Sequence, residues 1–240
     1  MGPQKPDAPL RVAPPRGTAM ADADDLIKAV QKNDAIKVRE FLAKDANLIL
    51  TKTKDGSLLQ TAVYYGSKDV VKTLIPRFPQ MTLYEACAVG DATRLRHVLD
   101  EEPDLVNTPN HDGFTPLGLA AFFGHKAAVQ VLLSRGAEVD QTDKSRFANT
   151  ALDAAVAGGH TEVVKVLLDH HASVNVRSAG GTTPLQKAAQ NGNLEVCKLL
   201  LEKGADLAAR DDAGKTPLAY AIEGKHEAVA LLLRERGAAA

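Results

Sequence analysis

The sequence predicts an all-α protein built as a stack of short helix pairs, with small turns or hairpins between pairs. Two observations carry this. The pattern Leu-x-x-Ala recurs at Leu26/Ala29, Leu59/Ala62, Leu83/Ala86, Leu117/Ala120, Leu152/Ala155, Leu185/Ala188 and Leu218/Ala221, the leucines 33, 24, 34, 35, 33 and 33 residues apart. After each comes a helix stop and then a second apolar run: "VREFL", "VVKTLI", "LRHVL", "VQVLL", "VVKVLL", "VCKLLL" and "VALLL". Helices this short cannot bury their apolar sides alone, so a fixed period near 33 residues means stacking on copies.

The elements follow in order. Residues 1–20 hold five of the twelve prolines and are expected to be a disordered tail; Met20 is a second possible start. The repeat domain is expected over residues 21–240. It opens with "ADADDLIKAV", read as a helix start with acidic residues in its first turn. Repeat one ends its first helix at Asn33 and lacks a hairpin and a Thr-Pro, as a capping repeat should. Repeat two reads "DGSLLQTA", without Thr-Pro, and stops at Gly66. The 24-residue step into repeat three replaces a hairpin with "PRFPQM", where Pro76 and Pro79 break the chain. Repeats three to six stop their first helices at Gly90, Gly124, Gly159 and Gly192, a residue suited to the left-handed conformation. In repeats four, six and seven a threonine caps the first helix and a proline fills its first position: Thr115-Pro116, Thr183-Pro184 and Thr216-Pro217. Repeat five has Thr150-Ala151 and a tip two residues longer, "QTDKSRFANT". In repeat seven Gly224 comes one residue early, and the chain closes on Gly237 and three alanines.

The stretches "DGFTPLGLAAFFGH" (112–125), "GTTPLQKAAQNG" (181–192) and "GKTPLAYA" (214–221), at this period, strongly resemble the ankyrin repeat. The resemblance covers about seven repeats, residues 22–237, the first and last as caps. It implies a curved stack with hairpin tips along one edge and first helices lining a concave face. It also implies that His125 and His160 are structural hydrogen-bonding groups between turns.

Several functions are disfavoured. Lysine plus arginine number 29 against 30 aspartate plus glutamate, with neither half polarised, so no basic footprint for nucleic acid exists. No apolar run nears the roughly 18 residues of a membrane span, and the start has no apolar core of a secretory signal. Gly214-Lys215-Thr216 looks like the end of a phosphate loop, but Ala209 stands where its first glycine belongs. The histidines have no zinc-site spacing, and no catalytic constellation stands out, so no metal, cofactor or catalytic residue is expected. Cys87 and Cys197, three repeats apart, read as free, buried thiols, which suits a cytoplasmic setting.

Aromatics are scarce, ten in all with no tryptophan, yet four form two adjacent pairs, Tyr64-Tyr65 and Phe122-Phe123. Both pairs directly precede the glycine that closes a first helix. The resemblance implies that this place faces the concave surface and touches protein partners. Either the rings line a groove across repeats two to four, or one of each pair is core between first helices. Phe114, Arg146 and Phe147 at the tips of repeats four and five extend the candidate patch. The reading is a non-enzymatic scaffold or regulator, monomeric alone, that binds a protein through concave face and tips; the alternative is an enzyme or small-molecule binder using a pocket in the groove.

Overall fold

The computed structural model describes residues 18–54, 56–78 and 81–238. The chain forms two compact units that part between Pro79 and Gln80. The expected tail lies, up to residue 17, outside the described residues, as does the Pro79-Gln80 stretch.

The first unit holds two helix pairs: α1 (Thr18–Gln31) with α2 (Ala35–Lys44), and α3 (Leu58–Tyr64) with α4 (Lys68–Leu74). Helix α1 begins at Thr18, so Asp22, Asp24 and Asp25 fall after its first turn rather than within it. A two-residue antiparallel ladder, β1 (Lys52–Thr53) with β2 (Gly56–Ser57), separates the pairs. Leu26, Leu59 and their motif alanines are buried between stacked helices, α1 on α3 and α2 on α4.

The second unit stacks five pairs: α5 (Leu83–Val89) and α6 (Ala92–Glu101); α7 (Pro116–Phe122) and α8 (Lys126–Ser134); α9 (Ala151–Ala157) and α10 (Thr161–Asp169); α11 (Pro184–Gln190) and α12 (Leu194–Glu202); α13 (Pro217–Glu223) and α14 (Glu227–Glu235). Odd-numbered helices pack in one layer and even-numbered ones in a second, around a single core containing the motif leucines and alanines. The caps explain the helix starts. Thr82, Thr115, Thr150, Thr183 and Thr216 each accept the amide three residues on, and Pro116, Pro184 and Pro217 are buried at the first helical turn.

Between the pairs of this unit the tips are turns, each closed by a backbone bond: Asn110 N to Phe114 O, Asp143 N to Asn149 O, Ser178 N to Thr182 O, and Asp211 N to Lys215 O. Side chains do the rest of the closing, since Asn110 Oδ1 and Asp211 Oδ1 each accept two tip amides. Successive tips are joined edge to edge: Lys144 N donates to Gly113 O at 2.8 Å, Ala179 N to Phe147 O at 2.9 Å, and Asp212 N to Gly180 O at 3.0 Å. The tips therefore form one braced row within this unit.

First helices end in the left-handed region, and that position holds its register even where glycine does not. In repeat one Asn33 takes φ 57°; in repeat seven Lys225 takes φ 58°, while Gly224 is right-handed at −73°. The early glycine thus leaves a lysine in a conformation that costs a non-glycine residue roughly 1–2 kcal/mol.

Candidate protein-interaction surface

The first-helix layer of the second unit is fixed by a repeated device at its junctions. Nε2 of His125 lies 2.9 Å from the carbonyl oxygen of Ala88, that of His160 is 2.8 Å from Phe122 O, and that of His226 is 2.9 Å from Gln190 O. A carbonyl only accepts, so Nε2 carries the proton in each ring. Each imidazole sits against the glycine closing the preceding first helix; a Cβ on Gly90, Gly124 or Gly192 would come within 2.5 Å of the ring. Repeat six has Asn193 in the histidine's place, nothing crowds Gly159, and Asn191 Nδ2 makes the reach to Val156 O instead. The imidazoles are accordingly inter-repeat ties. Burial pushes the pKa of His125 below its ordinary value, against the bond to Ala88.

This unit, on its first-helix layer and its tips, carries five of the seven aromatic and cationic residues singled out in the sequence. Phe122, on the last turn of α7, is 46% exposed and meets Phe123 edge-on, with centroids 5.1 Å apart. Phe123 is half-buried against the core, and so is Phe114. Phe147 is 45% exposed on the long tip of repeat five, with the Arg146 guanidinium stacked 4.7 Å above its ring. The structure brings Phe122 beside Phe123 and Arg146 beside Phe147. Tyr64 and Tyr65 belong to the first unit, where they end α3 with exposures of 39% and 47%.

Sequence reasoning missed two polar groupings in the second unit. Asp153, wholly buried, accepts from Lys187 Nζ at 2.7 Å and from the Thr150 amide and hydroxyl; Lys187 also donates to Asn149 Oδ1. The signal available was Asp153 three residues after Thr150, a capping box. The second is Asp211, whose Oδ2 accepts the Tyr220 hydroxyl at 2.6 Å. That bond holds the Asp211 carboxyl below the usual range and pushes the Tyr220 phenol up to about 12. Lys215 lies 5.5 Å over the Tyr220 ring and pairs with Glu223 at 2.7 Å. Both groupings tie a helix to a tip, and neither leaves a nucleophile beside a free base.

Among the described residues no three or more His, Cys, Asp or Glu side chains gather as a metal site, and no helix is long and apolar enough to cross a membrane. Cys87 and Cys197 are buried and free; burial pushes both thiols up, Cys197 to about 12, which disfavours the thiolate.

Stacked helix pairs with braced tips and histidine ties define a repeat protein. A family profile described as Ankyrin repeats, in three copies, matches residues 83–178, 135–211 and 170–240. The chain belongs to the ankyrin repeat family, a family of protein-interaction modules. It is 40% identical over 101 residues to the Ankyrin repeat and SAM domain-containing protein 6 of Mus musculus, 42% of this chain and 11% of that protein. It is 31% identical over 165 residues to the Putative ankyrin repeat protein FPV014 of Fowlpox virus (strain NVSL), 65% of this chain and 35% of that one. Over 82 residues it is 38% identical to the NAD-capped RNA hydrolase NUDT12 of Homo sapiens, 34% of this chain and 17% of that protein. The chain spans about a third or less of the length of these relatives.

Proposed function

We propose that this chain is a non-enzymatic scaffold or regulator that binds a partner protein through its first-helix face and its tips, in the reducing cytoplasm. The observation that supports this most directly is the position of Phe122. Other repeats of the second unit carry Ala88, Ala157, Gln190 and Glu223 two residues before the left-handed turn, so the stack needs no aromatic there. A large exposed ring on a rigid element, unexplained by packing, suits an interface anchor. Phe147 meets the same description on its tip. The hydrolase name among the relatives gives no reason for an enzymatic reading, because the match spans only 17% of that protein.

The test is quantitative affinity capture from the native cell with the full chain and with Phe122→Ser and Phe147→Ser variants, each melted in parallel. The expected result is a stoichiometric protein partner retained by the wild-type chain and depleted by at least one variant whose melting midpoint is unchanged. Absence of any stoichiometric partner, or full retention by both variants, would refute the reading.

A further inference from the structure

The tip of repeat five differs from its neighbours in chemistry as well as length. Its two exposed charges are both cationic, Lys144 and Arg146, and among the described residues neither has a carboxylate partner. The one acid on this tip, Asp143, is buried and turned inward, accepting the Ser145 amide at 2.9 Å and the Ser145 hydroxyl. On the neighbouring tips charged groups face an acid: the His111 ring lies 3.3 Å from Asp112 in repeat four, and Arg177 pairs with Asp212 of the repeat-seven tip at 3.5 Å. Two cations without a carboxylate partner thus stand on either side of Ser145 next to the exposed ring of Phe147.

The shape beside that ring is equally specific. The next tip, 178–182, is Ser-Ala-Gly-Gly-Thr, with no large side chain of its own and Ala179 and Gly180 exposed, while the Arg177–Asp212 pair lies against Gly181. Its Ala179 amide is bonded to the Phe147 carbonyl, so the tall ring and the low tip are held side by side. The ring's own loop is rigid: the Phe147 amide donates to Ser145 Oγ at 3.1 Å, and Ala148 is held left-handed at φ 48°. Such a step admits an extended chain lying across the low tip with one side chain against the ring.

Resting on the interaction-module reading above, we propose that the occupant is an acidic, extended segment of a partner protein carrying a bulky apolar residue. Its apolar side chain packs on Phe147, and its carboxylates pair with Lys144 and Arg146. Charge complementarity with Lys144 and Arg146 selects the acid. Arginine favours the pairing because its fork meets a carboxylate with two parallel bonds.

The experiment is selection of a random displayed-peptide library on the full chain, on Phe147→Ala, and on the double variant Lys144→Glu/Arg146→Glu. Wild-type selection is expected to enrich peptides with acids flanking a single bulky apolar residue. Their affinity should fall about tenfold as salt shrinks the Debye length. Phe147→Ala should weaken them about thirtyfold, the scale of an aromatic anchor, and the charge-reversed variant should enrich basic peptides instead. Neutral or basic consensus on the wild type, or enrichment that survives both variants, overturns the proposal. Peptides that survive both variants but are lost on Phe122→Ser would overturn it while leaving the interaction-module reading intact. No enrichment at all would also overturn it, and partner capture by the full chain reads that broader function separately.

Discussion

Lys187→Met is the sharpest probe of how the second unit holds together. The Lys187 ammonium, on α11 of repeat six, reaches the Asp153 carboxylate on α9 of repeat five at 2.7 Å. Asp153 has no solvent exposure, whereas the Lys187 side chain keeps 18%. Methionine preserves the aliphatic stem and removes the charge, leaving a buried carboxylate with only the Thr150 amide and hydroxyl as donors. Removing one partner of a buried pair costs about 3–5 kcal/mol. The two remaining donors, and the partial exposure of the lysine, argue for the lower end, near 3 kcal/mol. Neutralising the acid as well should reverse much of the loss. In an Asp153→Asn/Lys187→Met chain the side-chain amide keeps an oxygen for Thr150 without a charge to bury. Urea midpoints at constant slope measure both effects. A single variant within about 0.5 kcal/mol of the wild type, or a double variant less stable than the single, would show that the pair does not govern this junction.

Lys225→Gly should stabilise the chain by about 0.5–1 kcal/mol, since glycine takes φ 58° without the steric penalty and gives back only part of it in entropy; a melting midpoint that falls would contradict this. His125 gives a pH dependence. Its folded pKa is depressed, so below the ordinary value near 6.5 the unfolded chain binds the proton that the folded one resists. Its contribution is fully present above that pH and is lost as pH falls toward the depressed value, so a His125→Asn chain should lose stability less steeply between about pH 7 and 5; parallel thermal melts with equal slopes would refute the assignment. The first unit, with two helix pairs against five in the second, has fewer neighbour interfaces to hold it. Its amides are expected to exchange faster than those of α9 and α11, and better protection of α1 and α3 in hydrogen exchange would rule this out.

How much of this was legible in the sequence depended on whether a residue's role is local. The period, the threonine caps and the buried Leu-x-x-Ala positions could be read because a cap acts within three residues and a core position is set by helical spacing. The free buried cysteines followed from the same register, and the structural role of His125 and His160 from the family resemblance. What could not be read was any contact between residues some 35 positions apart whose partner is not part of the repeat. Lys187 on Asp153 is one such contact and the Ala179–Phe147 bond is another. Asn191 on Val156 is a third, where a side chain two residues removed substitutes for a missing histidine. The start of α1 was misplaced for the opposite reason: the acids "DADD" look like a first turn, yet nothing local stops the helix from extending back to Thr18.

The separation between fixed and free positions is itself the functional argument. Positions that make the stack are occupied by leucine, alanine, threonine and the left-handed residue, and changing them changes stability. Positions that the stack leaves free are where the chain departs from its own repeat. Phe122 replaces small or polar residues, the repeat-five tip gains two residues, an exposed ring and two cations without a carboxylate partner, and the repeat-six tip is reduced to small residues. The departures leave much of both rings in water, Phe122 at 46% and Phe147 at 45% exposure, beyond their contacts with Phe123 and Arg146. On the proposed interaction-module reading, the residues that the fold does not need are the ones on which binding should depend.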